Sequence, residues 1–221
     1  EVKEGDTISF GKHEFTFVEA PMVHWPEVLM SYDSKDKVLF SADAFGSFIA
    51  NNGRLFADEV NWDRDYLDEG RRYYTNIVGK YGTFVRQALA KAGGLDIAYI
   101  CPLHGLVWRD NFGYILDKYT HWATYEPEEE GVLIVYASMY GNTEFAAQAL
   151  ASKLCEAGMT NISLRDVSNT HVSTLIAESF KYSNIVLASV TYNLEMYPLM
   201  KNYLEDMKAL NVQNRAVSII D

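Results

Sequence analysis

Val132-Leu133-Ile134-Val135-Tyr136-Ala137 runs directly into Ser138-Met139-Tyr140-Gly141-Asn142-Thr143. An unbroken apolar run that ends at Ser and Gly reads as a strand buried on both faces. The residues from Asn142 to Ala157 then carry a helical pattern. A strand, a short hydroxyl- and glycine-containing loop and a helix start aim backbone N–H groups, hydroxyls and the helix dipole at one spot, which is how a phosphate is held. The loop has no lysine and no Gly-x-Gly-x-x-Gly spacing, so neither ATP nor NAD fits it. A phosphate held by hydroxyls and amides alone suits flavin mononucleotide (FMN).

Downstream, strands and helices alternate. The pattern predicts strands at 162–166, 185–189 and 215–221, and helices at 172–180 and 198–207. Near-continuous apolar strands alternating with helices make a doubly wound parallel sheet, covered on both faces. Ligands of such sheets sit at the carboxyl ends of the strands, where the strand order switches. The strand expected at the switch is 185–189, and it runs into Val190-Thr191-Tyr192-Asn193. A polar and aromatic loop there is suited to flank a flavin ring. Ordinary strand-to-helix turns with good caps would look similar one at a time.

Upstream, Tyr125-Glu126-Pro127-Glu128-Glu129-Glu130-Gly131 predicts a solvated linker at 125–131. It separates residues 1–124 from residues 132–221. The first region opens with a hairpin pattern, strands at 7–10 and 14–19 around Gly11-Lys12. A short strand at 37–41, a long helix over 63–93 closed by Gly93-Gly94, a strand at 97–101 and a helix at 113–123 follow.

Three residues in this region stand in loops that follow apolar strands: His24 in Met22-Val23-His24-Trp25-Pro26, Asp43 in Ser41-Ala42-Asp43-Ala44-Phe45-Gly46, and His104 in Pro102-Leu103-His104-Gly105. Two imidazoles and a carboxylate suit iron, zinc or manganese, and an Asp can bridge two metals through its two oxygens. Spaced as His24-x18-Asp43-x60-His104, they could equally be unrelated residues. His13, His121 and His171 read as turn, helix-surface and helix-cap residues. Cys101 and Cys155 read as buried apolar residues. Tyr73, Tyr74 and Trp122 read as packing. Trp25 could wall a metal pocket or fill a core.

The net charge of −11 argues against nucleic acid or an anionic membrane as the main partner. No apolar run approaches the ~20 residues of a membrane span. Two cysteines in 221 residues make no disulfide framework. A cytoplasmic protein is the expectation.

The residues already quoted carry a resemblance. Ser138 to Thr143 and Thr191-Tyr192-Asn193 resemble the phosphate loop and second flavin loop of the flavodiiron proteins. Met22 to Pro26, Leu39 to Phe48 and Pro102 to Arg109 are similar to the metal-ligand stretches of the metallo-β-lactamase-like domain of that family. The resemblance implies an α/β chain: the C-terminal half of a metallo-β-lactamase-like αββα domain, then a truncated flavodoxin-like doubly wound parallel sheet. It implies FMN as cofactor, with Ser138, Met139, Tyr140, Gly141, Asn142, Thr143, Thr191, Tyr192 and Asn193 around it. It implies a non-haem diiron site in which His24 binds one iron, His104 the other, and Asp43 bridges both. The family's remaining ligands, in a His-x-Glu-x-Asp-His motif, and its third flavin loop are absent from these residues. The chain is therefore expected to be a window on one of ~400 residues. The implied activity is reduction of O2 to water or NO to N2O, with electrons from rubredoxin or a flavin reductase, in a head-to-tail homodimer. A zinc-dependent hydrolase fused to a flavodoxin-like electron-transfer module is the competing expectation, and a non-catalytic electron-transfer remnant a third.

Overall fold

The computed structural model describes residues 1–220, so the last residue of the strand expected at 215–221 lies outside the described residues. The chain divides into two compact units, Glu1–Thr124 and the residues from Tyr125 on.

The first unit is a five-stranded sheet with helices against one face. Its strands are β1 (Thr7–Phe10), β2 (His13–Glu19), β3 (Leu29–Asp33), β4 (Val38–Phe40) and β5 (Tyr99–Cys101), in that spatial order. Neighbours are antiparallel except β4 and β5, which run parallel. The long helix expected over 63–93 is three pieces: α1 (Trp62–Asp65), α2 (Leu67–Ile77) and α3 (Gly82–Ala92), with a single 3₁₀ turn at Gly79–Tyr81. The Asn61 side chain caps α1 by accepting from the Arg64 N–H, and glycines at 79 and 82 weaken the helix between α2 and α3. Helix α4 (Phe112–Thr124) closes the unit. Alternate strand positions Val18, Met30, Leu39 and Ile100 are buried beneath the helices. Tyr74, Tyr119 and Trp122 form an aromatic cluster there, with ring centroids 5.0 to 5.4 Å apart. Each such pair is worth about 0.5–1.5 kcal/mol beyond its buried area.

The second unit is a parallel sheet in the order β9 (Ala216–Ile220), β8 (Tyr182–Ser189), β6 (Glu129–Ala137), β7 (Ile162–Asp166). Leu133, Val135 and Ala137 of β6 pack against Ile176 and Phe180 of α6 (Val172–Lys181) and Met200 and Tyr203 of α7 (Pro198–Ala209). Val132, Ile134 and Tyr136 pack on the other face with Ala147 of α5 (Asn142–Glu156). The unbroken apolar run of β6 follows from this two-sided burial. The acidic stretch expected as linker is partly strand: β6 begins at Glu129, which pairs with Tyr182 and lies 3.3 Å from the Lys181 ammonium. Arg215 stitches the unit's start to its core. Its guanidinium donates to the carbonyls of Tyr125, Ser179 and Phe180, and burial pushes its pKa down to about 10. Cys155, read from the sequence as buried, is exposed, and Cys101 is half-buried. An apolar residue type does not by itself say which side of a helix faces the core. Among the described residues no helix is long and apolar enough to cross a membrane.

Candidate functional site

His24, Asp43 and His104 meet although 80 residues of chain span them. The parallel pairing of β4 with β5 brings the loops after Phe40 and after Cys101 to one end of the sheet, and Leu103 N–H donates to Ala42 O at 2.8 Å. Asp43 is 5% exposed. Its Oδ2 lies 3.5 Å from His24 Nε2 and its Oδ1 lies 3.3 Å from His104 Nε2. Oδ2 is buried with no hydrogen-bond partner among the described residues. An unsatisfied buried carboxylate oxygen costs about 1–3 kcal/mol or more. Two imidazole nitrogens, each set beside a different carboxylate oxygen, would satisfy it through cations bound at ~2.0–2.2 Å from each donor. The donor set therefore fits one carboxylate shared by two metal ions.

The loops hold unusual backbone. Met22, Ala42 and Phe45 have φ of 64°, 52° and 70°. Such conformations cost of order 1–3 kcal/mol each in non-glycine residues and gather at functional sites. Fixed hydrogen bonds offset the cost. Met22 N–H donates to Trp25 O at 2.8 Å, Ser41 Oγ donates to Ala44 O at 2.8 Å, and Phe45 N–H donates to the Tyr119 hydroxyl at 2.6 Å. Tyr119 thus ties the aromatic core to the Asp43 loop. Glycines allow the loops to touch. A Cβ on Gly46 would lie 3.1 Å from the Tyr73 ring, and one on Gly105, whose φ is +84°, would lie 2.5 Å from Ser47 Oγ.

Tyr73, which the sequence read as packing, stands beside the site. Its ring packs on the His104 imidazole with centroids 5.7 Å apart, and its hydroxyl lies in the field of the Asp43 carboxylate. Burial first, then the Asp43 charge, hold the phenol well above its usual pKa, so it stays a donor. No local signal marks it, since a tyrosine at helical spacing looks the same in any core. Trp25 is 42% exposed and meets His24 edge-on at 5.0 Å. His13 is apart from these loops, bonded to Asp33 at 2.6 Å. Burial raises the Asp33 pKa, but the His13 and Lys35 hydrogen bonds outweigh it and leave the carboxyl below its usual range. His121 lies on the exposed side of α4, and His171 caps α6 by accepting from Ser173 N–H.

In the second unit the two quoted loops leave adjacent strands. Ala137 pairs with Ser189, and Val190 N–H donates to Ala137 O at 3.2 Å. β6 is central, with β8 on one side and β7 on the other, so the strand order switches between β6 and β8. Gly141 N–H donates to Ser138 Oγ at 3.0 Å and, at φ +86°, turns the chain into α5. No side chain caps α5, so its first-turn N–H groups are free to meet an anion. Tyr140 is 86% exposed beside them, with Met139, Asn142 and Thr143 completing the loop. Thr191–Tyr192 pairs with Glu195–Met196 as a small hairpin turned by Asn193 and Leu194, both at positive φ. The hairpin presents Tyr192 and Leu194, the latter almost wholly exposed. Its turn was not legible because Asn-Leu is not a usual left-handed pair. Residues at 138–143 and 191–193 thus fit a flavin phosphate at the helix start and a ring beside the hairpin.

Comparison with known proteins finds relatives of both units. A family model described as ODP family beta lactamase matches residues 2–105, and a flavodoxin model matches residues 134–218. The chain is 33% identical over 221 residues to the anaerobic nitric oxide reductase flavorubredoxin of Klebsiella pneumoniae, covering 98% of this chain and 45% of that protein. It superposes on the flavodiiron protein from Giardia intestinalis with a TM-score of 0.93 at 28% identity, covering 99% of this chain and 53% of that one. The rubredoxin oxygen:oxidoreductase of Desulfovibrio gigas gives 0.90 at 32% identity, with 99% and 54% covered. The chain spans about half the length of the curated relatives it matches.

Proposed function

Because the chain belongs to the flavodiiron protein family, we propose that it serves an oxidoreductase that passes electrons from FMN to a non-haem diiron site, which reduces O2 to water or NO to N2O. The observation that carries this reading is the buried Asp43 carboxylate, whose two oxygens face two different imidazoles. A flavin takes up electrons singly or in pairs, and two irons bind and reduce a diatomic gas. The residues of this chain supply the frame for that chemistry. His24 and His104 would each hold one iron, and Asp43 would bridge them. The Tyr73 ring packs against His104 and would help fix the plane of its imidazole. Three side chains are few for two irons, so the remaining ligands come from outside these residues. Ser138, Gly141, Asn142 and Thr143 would hold the FMN phosphate, with Met139 and Tyr140 at the loop's exposed side and Thr191, Tyr192 and Asn193 at the ring.

Rubredoxin or a flavin reductase is the proposed donor, a head-to-tail homodimer the proposed assembly, and the cytoplasm the proposed location. A zinc hydrolase is disfavoured, because hydrolysis has no use for a flavodoxin domain. The test is metal and flavin analysis of the intact protein, joined to consumption of O2 and NO with reduced FMN as the electron source. About two irons and one FMN per chain, with gas consumption, are expected. Zinc in place of iron, without flavin-coupled gas consumption, would sink the reading.

A further inference from the structure

Behind the ligand loops the first unit contains two adjoining apolar cavities. The outer one, about 220 Å3, lies between the sheet, the end of α3 and the start of α4, against Leu39, Leu95, Ile100, Phe112 and Leu116. Of the large apolar side chains that line it, Leu116 is the exposed one. The inner chamber is smaller, about 10 Å3, and lies against Val23, Met30, Ala44 and Val85. Phe45, Leu89 and Ala92 line both, so these three side chains form the wall between them. Val23 and Ala44 are the residues bonded to His24 and Asp43. The one side-chain hydroxyl in either lining belongs to Tyr119, and it is already engaged by the Phe45 N–H.

A space without free polar partners does not hold water well. A dry apolar cavity of about 150 Å3 takes up xenon and other small apolar molecules, so the outer cavity is of a size to hold one and the inner one is only a narrow passage. O2 and NO are small and nearly apolar, and they gain by leaving water for such a lining. On the reading that the metal site reduces these gases, we propose that the two cavities form a gas-binding route from the surface at Leu116 to the back of the His24 and Asp43 loops, with Phe45 as the gate between them. Phe45 suits that place. Its backbone is pinned by Tyr119, its ring lies 4.7 Å from the Tyr119 ring, and it belongs to the loop that carries Asp43.

The experiment uses the intact, iron- and FMN-loaded protein. Xenon uptake is followed by 129Xe NMR or in crystals under xenon pressure, and NO association with the reduced protein by stopped flow. Wild type is expected to hold xenon in the outer cavity. Ala92→Phe, which fills the shared wall, is expected to lose that xenon and to slow NO association tenfold or more, with iron content and visible spectrum unchanged. Leu116→Trp at the surface mouth is the second variant. It tolerates a larger ring should Ala92→Phe fail to fold, and it is expected to slow association in the same direction. No xenon in wild type, or unchanged NO association in a variant that has lost its xenon, overturns the proposal. A protein that takes up xenon but no iron removes the diiron reading while keeping the gas site, so the two failures are distinct.

Discussion

The loops of the two units offer different parts of the chain to a ligand. At 138–143 the offered groups are mainly backbone N–H groups at the open start of α5, helped by one serine hydroxyl. At 24, 43 and 104 they are side chains, held by loops whose backbone is left-handed at Met22, Ala42 and Phe45 and closely interlocked at Gly46 and Gly105. Each unit uses a left-handed glycine. Around Gly141 a Cβ would meet nothing within 4 Å, whereas at Gly105 it would meet Ser47 Oγ at 2.5 Å. A backbone site needs only a helix start and a turn, so it stands open to solvent. A side-chain site that places three donors around a small volume needs packing behind every loop, and it is correspondingly intolerant of change.

That contrast can be broken by substitution. Asp43→Asn is expected to have the largest functional effect, loss of bound iron from the intact protein by metal analysis. The metal-free variant should melt no lower than metal-free wild type, because the substitution removes a buried charge one of whose oxygens has no hydrogen-bond partner. A clear drop in melting temperature would mean that Asp43 is structural instead. Gly105→Ala should lower stability by roughly 2 kcal/mol or more in denaturant unfolding and deplete iron, since it adds a clash to the left-handed cost. Tyr119→Phe removes the acceptor for the buried Phe45 N–H and should cost about 1–3 kcal/mol, with weaker metal retention. Gly141→Ala meets open space and should cost only about 1–2 kcal/mol. A loss equal to that of Gly105→Ala would end the distinction between the two sites. Ser138→Ala should have the smallest effect, a few-fold rise in the FMN dissociation constant by fluorescence quenching, because the backbone donors remain.

The second unit was legible almost element by element, because its signals are local. The run 132–137, the loop 138–143 and the helix after it declare themselves within about thirty residues, and paired strands merely extend the ends, as Glu129 and Tyr182 do. The first unit was less legible. β3 (Leu29–Asp33) has too short and mixed a pattern to stand out, and it is a strand because β2 and β4 pair with it on either side. The helix expected over 63–93 breaks where tertiary packing uses the glycines at 79 and 82. Tyr73 carried no signal at all, since its role comes from neighbours about thirty residues away in each direction.

By itself the sequence determined most of the order of strands and helices and the doubly wound character of the second unit, and it marked the loop at 138–143 as a candidate phosphate site. Those follow from hydrophobic period, turn residues and helix starts, which act over a few residues. It also named His24, Asp43 and His104 as candidates, but it could not bring them together. Only the tertiary structure decided that the two oxygens of a buried Asp43 face two imidazoles, and that apolar cavities adjoin the loops behind them. The physical reason is that both features depend on the register of β4 with β5 and on the aromatic packing of α2 and α4, and neither leaves a period in the chain.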